Sequence, residues 1–97
     1  MLIDPDNFDN EVLTSNDNVL IDFFAAWCGP CRQMTSIIND IAKIHKVCKI
    51  DIEDYRELAA RYKIKSVPTF IIFKNGNEQN RIIGATSKKK LLKLLEN

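Results

Sequence analysis

Two cysteines separated by two residues are the part of this sequence best suited to chemistry. Cys28 and Cys31 enclose only Gly29 and Pro30; an apolar run precedes the pair and a helical pattern follows it. A thiol at the N-terminus of a helix has a lowered pKa, because unpaired N–H groups and the positive end of the helix dipole face it. The spacing therefore predicts a dithiol that cycles between its reduced and disulfide forms on the first turn of a helix.

Helical periodicity gives the two cysteines different positions. Along the helix that follows, one apolar face is formed by Met34, Ile37, Ile38, Ile41 and either Ile44 or His45. Stepping back three places from Met34 reaches Cys31, so Cys31 is predicted to point inward and Cys28 to be the accessible sulfur. In this interpretation Cys28 attacks a substrate disulfide, and Cys31 then resolves the mixed disulfide and releases the reduced substrate.

The alternative interpretations of the pair are half of a zinc site or two inert thiols. A structural zinc site needs four ligands, commonly supplied as two spaced pairs. Here only His45 and Cys48 remain, and both lie beyond the long helix. The redox interpretation is therefore favoured, and no metal or other cofactor is expected. Cys48 lies in an apolar segment, which favours a core residue over a regulatory thiol.

A carboxylate in the middle of an apolar strand is the second candidate functional group. Asp22 interrupts a run from Val19 to Phe24 that is otherwise apolar. Burying a carboxylate is costly unless it is paired or functional, and burial raises its pKa. Asp22 is expected to lie beneath the cysteine pair and to take the proton of Cys31 as that thiol attacks. The alternative, which is compatible with the first, is an ion pair with Lys49 on the next strand.

Strands and helices alternate around these residues. The patterns predict strands over 19–24, 47–52, 67–73 and 79–83. Helices are predicted after Pro5, after the cysteine pair, from Glu53 onward, and after a cap at either Thr86 or Ser87. The Asn75-Gly76 dipeptide predicts a hairpin between the last two strands, since it supplies the positive φ values of a type I′ turn. The fold class predicted is α/β, one domain over residues 1–97 with a central mixed β-sheet flanked by helices on both faces.

Composition and charge limit the other functions that this chain could have. The formal net charge of +1 argues against a nucleic-acid-binding protein, which usually carries a basic stripe. The lysine run at 88–90 is interpreted as a solvated helix face. No apolar run is long enough to span a membrane, and the first residues lack the features of a signal peptide. We therefore expect a cytoplasmic protein that does not bind membranes.

In combination these motifs resemble the thioredoxin family. The resemblance extends from Phe8 to Leu95 and rests on the segment 22–31, Lys49, Val67-Pro68-Thr69, Lys74-Asn75-Gly76 and Gly84. It implies the thioredoxin fold, a nucleophilic Cys28, a resolving Cys31 and a proton-transferring Asp22 with Lys49 nearby. It also implies that the peptide bond before Pro68 is cis and faces the disulfide.

The resemblance further implies a substrate and a partner. A docking surface for substrate backbone would consist of Trp27, Gly29, Pro30, Val67, Pro68, Gly84 and Ala85. The family's activity is reduction of protein disulfides by a monomer, which a thioredoxin reductase recycles with electrons from NADPH. An oxidase or isomerase of an oxidising compartment and a binding subunit without redox turnover are the alternative functions.

The chain also departs from the family pattern at several positions. Phe24 replaces a tryptophan found in many members, and Lys63 and Ser66 replace glycines common before the cis-proline. Ser36 stands where the family often has a proline that kinks the helix, so a straighter helix is expected. None of these residues is expected to change the chemistry of the cysteine pair.

Overall fold

A five-stranded sheet runs through the centre of the protein, whose computed structural model describes all 97 residues. Its strands are β1 (Leu2–Ile3), β2 (Val19–Phe24), β3 (Lys46–Asp51), β4 (Thr69–Lys74) and β5 (Asn77–Ile83). The spatial order is β1-β3-β2-β4-β5. β1 and β2 are parallel to β3, whereas β4 is antiparallel to both β2 and β5. The predicted mixed sheet is confirmed.

Helices cover both faces of this sheet, as predicted. They are α1 (Phe8–Glu11, after a 3₁₀ turn over Pro5–Asn7), α2 (Gly29–Gln33), α3 (Thr35–Ala42), α4 (Arg56–Arg61) and α5 (Lys88–Leu95). One apolar cluster packs α1 and α4 against one face, and a second packs α3 and α5 against the other. No helix combines the length and the apolar character that crossing a membrane requires.

The central strand β2 positions the site because its two faces enter different cores. Ile21 and Phe23 belong to the cluster on the α1/α4 face, and Leu20 belongs to the cluster on the α3/α5 face. Since side chains alternate along a strand, Asp22 shares the α3/α5 face with Leu20. β2 ends at Phe24, and the chain turns there toward the first cysteine.

The predicted strands need four corrections. The edge strand β1 was not predicted, because two residues carry no periodicity. β3 begins at Lys46 and ends at Asp51, and β5 begins directly after the turn at Asn77. β4 begins at Thr69 instead of residue 67, since proline cannot donate to a strand ladder. The hairpin itself is confirmed: Asn75 and Gly76 have φ values of 51° and 77°.

The helix after the cysteine pair is divided in two, so the prediction of one long helix is wrong. α2 ends and α3 begins around Met34, whose N–H donates to the Cys31 carbonyl at 3.1 Å in a tighter, 3₁₀-type bond. The interruption occurs without proline at position 36. Ile44 is 65% exposed, because α3 ends at Ala42, and it is therefore not part of the inward face.

Candidate functional site

The cysteine pair lies at the start of α2, as its spacing predicts. Cys28 is the N-cap residue, and Pro30 occupies the first turn of the helix, where a missing N–H costs nothing. Cys28 and Cys31 form a disulfide with a Cα–Cα distance of 5.2 Å. The backbone N–H of Cys31 donates to Cys28 Sγ at 3.1 Å. In the reduced protein the same N–H is positioned to stabilise a Cys28 thiolate.

The predicted difference in exposure between the two cysteines is wrong for the oxidised protein. Cys28 is 4% exposed and Cys31 is 8% exposed. The reason is a segment distant in sequence: the Val67 carbonyl oxygen lies 3.7 Å from Cys28 Sγ, and Ala25 and Val67 pack against the disulfide. The two cysteines are thus buried to a similar extent. Their polar surroundings still differ, because Cys28 lies at the N-terminus of α2 and Cys31 lies within the helix.

The segment that covers Cys28 contains the cis peptide bond that the resemblance implies. The bond between Val67 and Pro68 is cis, and Pro68 is buried. The Gly84 N–H donates to the Pro68 carbonyl at 2.8 Å. Gly84 has a φ of +98°, a conformation that residues with a Cβ rarely adopt. Residues 67, 68 and 84 are therefore brought together beside the disulfide.

The remaining residues of the predicted docking surface are accessible. Trp27 is 64% exposed, Pro30 and Ala85 are exposed, and Gly29 is half-buried. Ile83, which precedes Gly84, is 68% exposed and was not singled out from the sequence. Ile83 ends a strand that contains both polar and apolar residues, and this pattern does not indicate that its side chain faces solvent.

Asp22 is buried behind Cys31, and its environment favours the protonated form. It is 4% exposed, and its Oδ1 has no hydrogen-bond partner within the chain. Asp22, Cys31, Thr35 and Lys49 all line one cavity of about 110 Å³. Burial raises the pKa of the Asp22 carboxyl from 3.8 to about 6, although the nearby Lys49 ammonium opposes the shift. A carboxyl with this pKa is largely ionised at neutral pH and can accept a proton.

Lys49 lies next to Asp22 without forming an ion pair with it. The two residues are in register on β3 and β2, and therefore share a face of the sheet. No ion pair within 4.0 Å joins them. Lys49 Nζ instead lies 5.4 Å from the centre of the Phe24 ring, a cation–π geometry. The prediction of a direct ion pair is wrong, and Lys49 acts on Asp22 through space.

Cys48 is a core residue, which confirms that prediction. It is fully buried on β3 within the cluster on the α1/α4 face, across the sheet from Asp22. Burial, assisted by the Asp4 and Glu11 carboxylates, raises the pKa of the Cys48 thiol to about 12. A thiol with this pKa is a poor nucleophile at neutral pH.

A disulfide on the first turn of a helix, covered by a cis-proline segment at the end of a mixed sheet, defines the thioredoxin class of thiol–disulfide proteins. The family model described as Thioredoxin matches residues 1–97, and the chain belongs to this family. Its members are thiol–disulfide oxidoreductases. In structure the chain is similar to a single-residue mutant of thioredoxin from Halobacterium salinarum NRC-1, with a TM-score of 0.87 and 31% identity; 99% of this chain and 87% of that chain are covered.

The relatives that are similar in sequence differ in length. A thioredoxin of Rickettsia bellii is 40% identical over 95 residues, which cover 94% of this chain and 90% of that protein. Thioredoxin Y1, chloroplastic, of Arabidopsis thaliana is 41% identical over 95 residues, which cover 94% of this chain and 55% of that protein. The chain thus spans little more than half the length of the chloroplastic relatives, and most of the length of the bacterial one.

Proposed function

We propose that this protein reduces disulfide bonds in other proteins by dithiol–disulfide exchange, and that it thereby maintains cell redox homeostasis. The observation that carries the proposal is the N-cap position of Cys28, whose Sγ accepts the Cys31 N–H at 3.1 Å. A Cys28 thiolate held in this way is a nucleophile at neutral pH. Membership of the family supports the same activity.

The first step forms a mixed disulfide. The Cys28 thiolate attacks one sulfur of the substrate disulfide; a bond forms between these two sulfurs, the substrate bond breaks, and the departing thiolate takes a proton from water. We assign binding of the substrate backbone to the surface defined above, which consists of Trp27, Gly29, Pro30, Val67, Pro68, Gly84 and Ala85. The exposed Trp27 side chain suits contact with an extended peptide.

The second step releases the substrate. Asp22 accepts the proton of the Cys31 thiol across the shared cavity, and Cys31 attacks Cys28 Sγ. The Cys28–Cys31 disulfide forms, and the second substrate sulfur leaves as a thiolate that is then protonated. The substrate has gained two electrons and two protons in all. Lys49 supports this step by opposing the rise in the pKa of Asp22.

The partners follow from the electron balance of the cycle. Each turnover leaves the protein oxidised, so a reductase must return two electrons; we propose a thioredoxin reductase that draws on NADPH. We also propose that residues 1–97 act as a single domain and as a monomer. The proposed location is the cytoplasm, where reducing conditions keep substrate thiols reduced.

NADPH-coupled reduction of insulin with a thioredoxin reductase tests the proposal. We expect the wild type and Cys48→Ser to be active, because Cys48 lies across the sheet from the site. Cys28→Ser should be inactive. If the wild type does not reduce insulin, even with a small dithiol as the electron source, the proposed function is wrong. If a double serine variant at Cys28 and Cys31 keeps full biological activity, the protein acts as a binding subunit.

A further inference from the structure

The side chain of Arg32 joins the two segments that carry the cysteines. Its Nη1 donates to the Ala26 carbonyl oxygen at 3.0 Å. Ala26 lies two residues before Cys28, and Arg32 directly follows Cys31. The hydrogen bond therefore joins the residues on either side of the cysteine pair and involves neither cysteine. Unlike the disulfide, it can persist when the two sulfurs are reduced.

Both ends of this hydrogen bond also line the cavity that holds Asp22. Arg32 and Ala26 contribute to the lining of the cavity, together with Asp22 and Cys31. Its volume of about 110 Å³ exceeds the roughly 15 Å³ that one water molecule needs. The buried Oδ1 of Asp22 has no partner within the chain, so water in this cavity is what can hydrogen-bond to it.

We propose that Arg32 is a positioning residue which, by holding the Ala26 carbonyl, limits how far the cavity beside Asp22 opens to solvent. The inference rests on the proposed role of Asp22 in the exchange reaction. The turn between β2 and α2 has one internal backbone bond, from the Cys28 N–H to the Ala25 carbonyl at 3.1 Å. The Arg32 side chain supplies the second attachment of this turn, on the side of the cavity.

Loss of this attachment and loss of the positive charge have opposite effects on Asp22. If the turn loosens, the cavity opens to bulk solvent, burial disfavours the carboxylate less, and the pKa of Asp22 falls toward its ordinary value. If only a cation is lost, the carboxylate is less stabilised and the pKa rises. The charged and titratable groups around Asp22 are Lys49 on β3 and Arg32 and Cys31 on α2, while β4 places the apolar Phe70 opposite it. The direction of the shift therefore separates the two explanations.

Titration of the Asp22 carboxyl carbon by NMR in Arg32→Met tests the proposal. The experiment uses the oxidised protein, so it requires no turnover and remains informative even if the proposed function is wrong. We expect the pKa of Asp22 to fall by about one pH unit, because methionine keeps the apolar stem but cannot hold the carbonyl. Arg56→Met is the matched control, since Arg56 is exposed on α4 and lies outside this cavity. It should leave the titration of Asp22 unchanged.

Three results would overturn the inference, two of them from the titration. An unchanged pKa would show that the hydrogen bond to Ala26 does not control access to the cavity, and a raised pKa would show that Arg32 acts through its charge. A functional measurement adds independent support. The pH midpoint for resolution of the mixed disulfide should shift in Arg32→Met by the same amount and in the same direction as the titration of Asp22. An insulin-reducing wild type whose variant keeps the same midpoint would contradict the proposal.

Discussion

Replacing Asp22 by asparagine should stabilise this protein at neutral pH while it impairs the proposed reaction. The carboxyl is 4% exposed, and burial raises its pKa from 3.8 to about 6 in the folded protein. The folded state therefore binds the proton more tightly than the unfolded state does. Asparagine has nearly the same shape, but it carries no charge that must be buried.

The sign and size of the effect follow from this difference in pKa. Between pH 3.8 and about 6 the folded state holds more protons than the unfolded state, so the free energy of unfolding falls as the pH rises. The contribution of protonated Asp22 is fully present below the lower pKa and is lost as the pH passes through the higher one. At about 1.4 kcal/mol per pH unit, the total loss is on the order of 3 kcal/mol.

Urea unfolding of the oxidised wild type and of Asp22→Asn at pH 4 and pH 8 measures this loss. The gain in stability of the variant over the wild type should be larger at pH 8 than at pH 4 by about 2.4 kcal/mol, because about 0.6 kcal/mol of the total loss has already occurred at pH 4. Using the difference between the two pH values cancels the constant effect of the amide group. Asp54→Asn, which replaces an exposed carboxylate, is the control and should not show this difference. Equal gains at both pH values for Asp22→Asn would refute the reasoning.

Three further predictions concern the cysteines and one strained residue. Cys31→Ser should accumulate a mixed disulfide through Cys28, visible by intact-mass spectrometry as protein plus substrate; a variant that turns over instead would contradict the assigned roles. The Cys48 thiol, buried and with a pKa raised to about 12, should resist iodoacetamide at pH 8 until urea unfolds the protein, as peptide mapping can check. Lys63 has a φ of 55°, so Lys63→Gly should raise the free energy of unfolding by up to about 1 kcal/mol, whereas Lys65→Gly should give no gain.

The features that the sequence predicts correctly depend on local signals. Three features are each specified within a few residues: the apolar strand β2, the Asn75-Gly76 turn, and the first turn of α2 at Pro30. The position of Asp22 behind Cys31 also depends on residues close in sequence, since β2 leads directly into the turn before α2. These local signals are sufficient to place the cysteine pair and the carboxyl in the same site.

The features that the sequence misses depend on distant contacts or on unusual residues. Cys28 is buried because Val67, 39 residues away, covers it, and no pattern around Cys28 indicates this. The positive φ of Lys63 was missed because a lysine between two elements does not indicate a left-handed backbone. The Arg32 hydrogen bond was missed because an arginine on the outside of a helix normally indicates only a solvated surface.

The register of the central strand decides whether the site can function. Asp22 pairs with Lys49 on one side of β2 and with Phe70 on the other, and Phe23 pairs with Thr69. Pro68, which directly precedes Thr69, therefore lies level with the end of β2, where the chain turns toward Cys28.

A slip of β2 by one residue would move Asp22 to the α1/α4 face and away from Cys31, because strand side chains alternate. The buried residues flanking Asp22, Ile21 and Phe23, oppose that slip, since it would move both of them out of their core. The apolar packing of β2 thus fixes the position of a carboxylate that itself destabilises the fold.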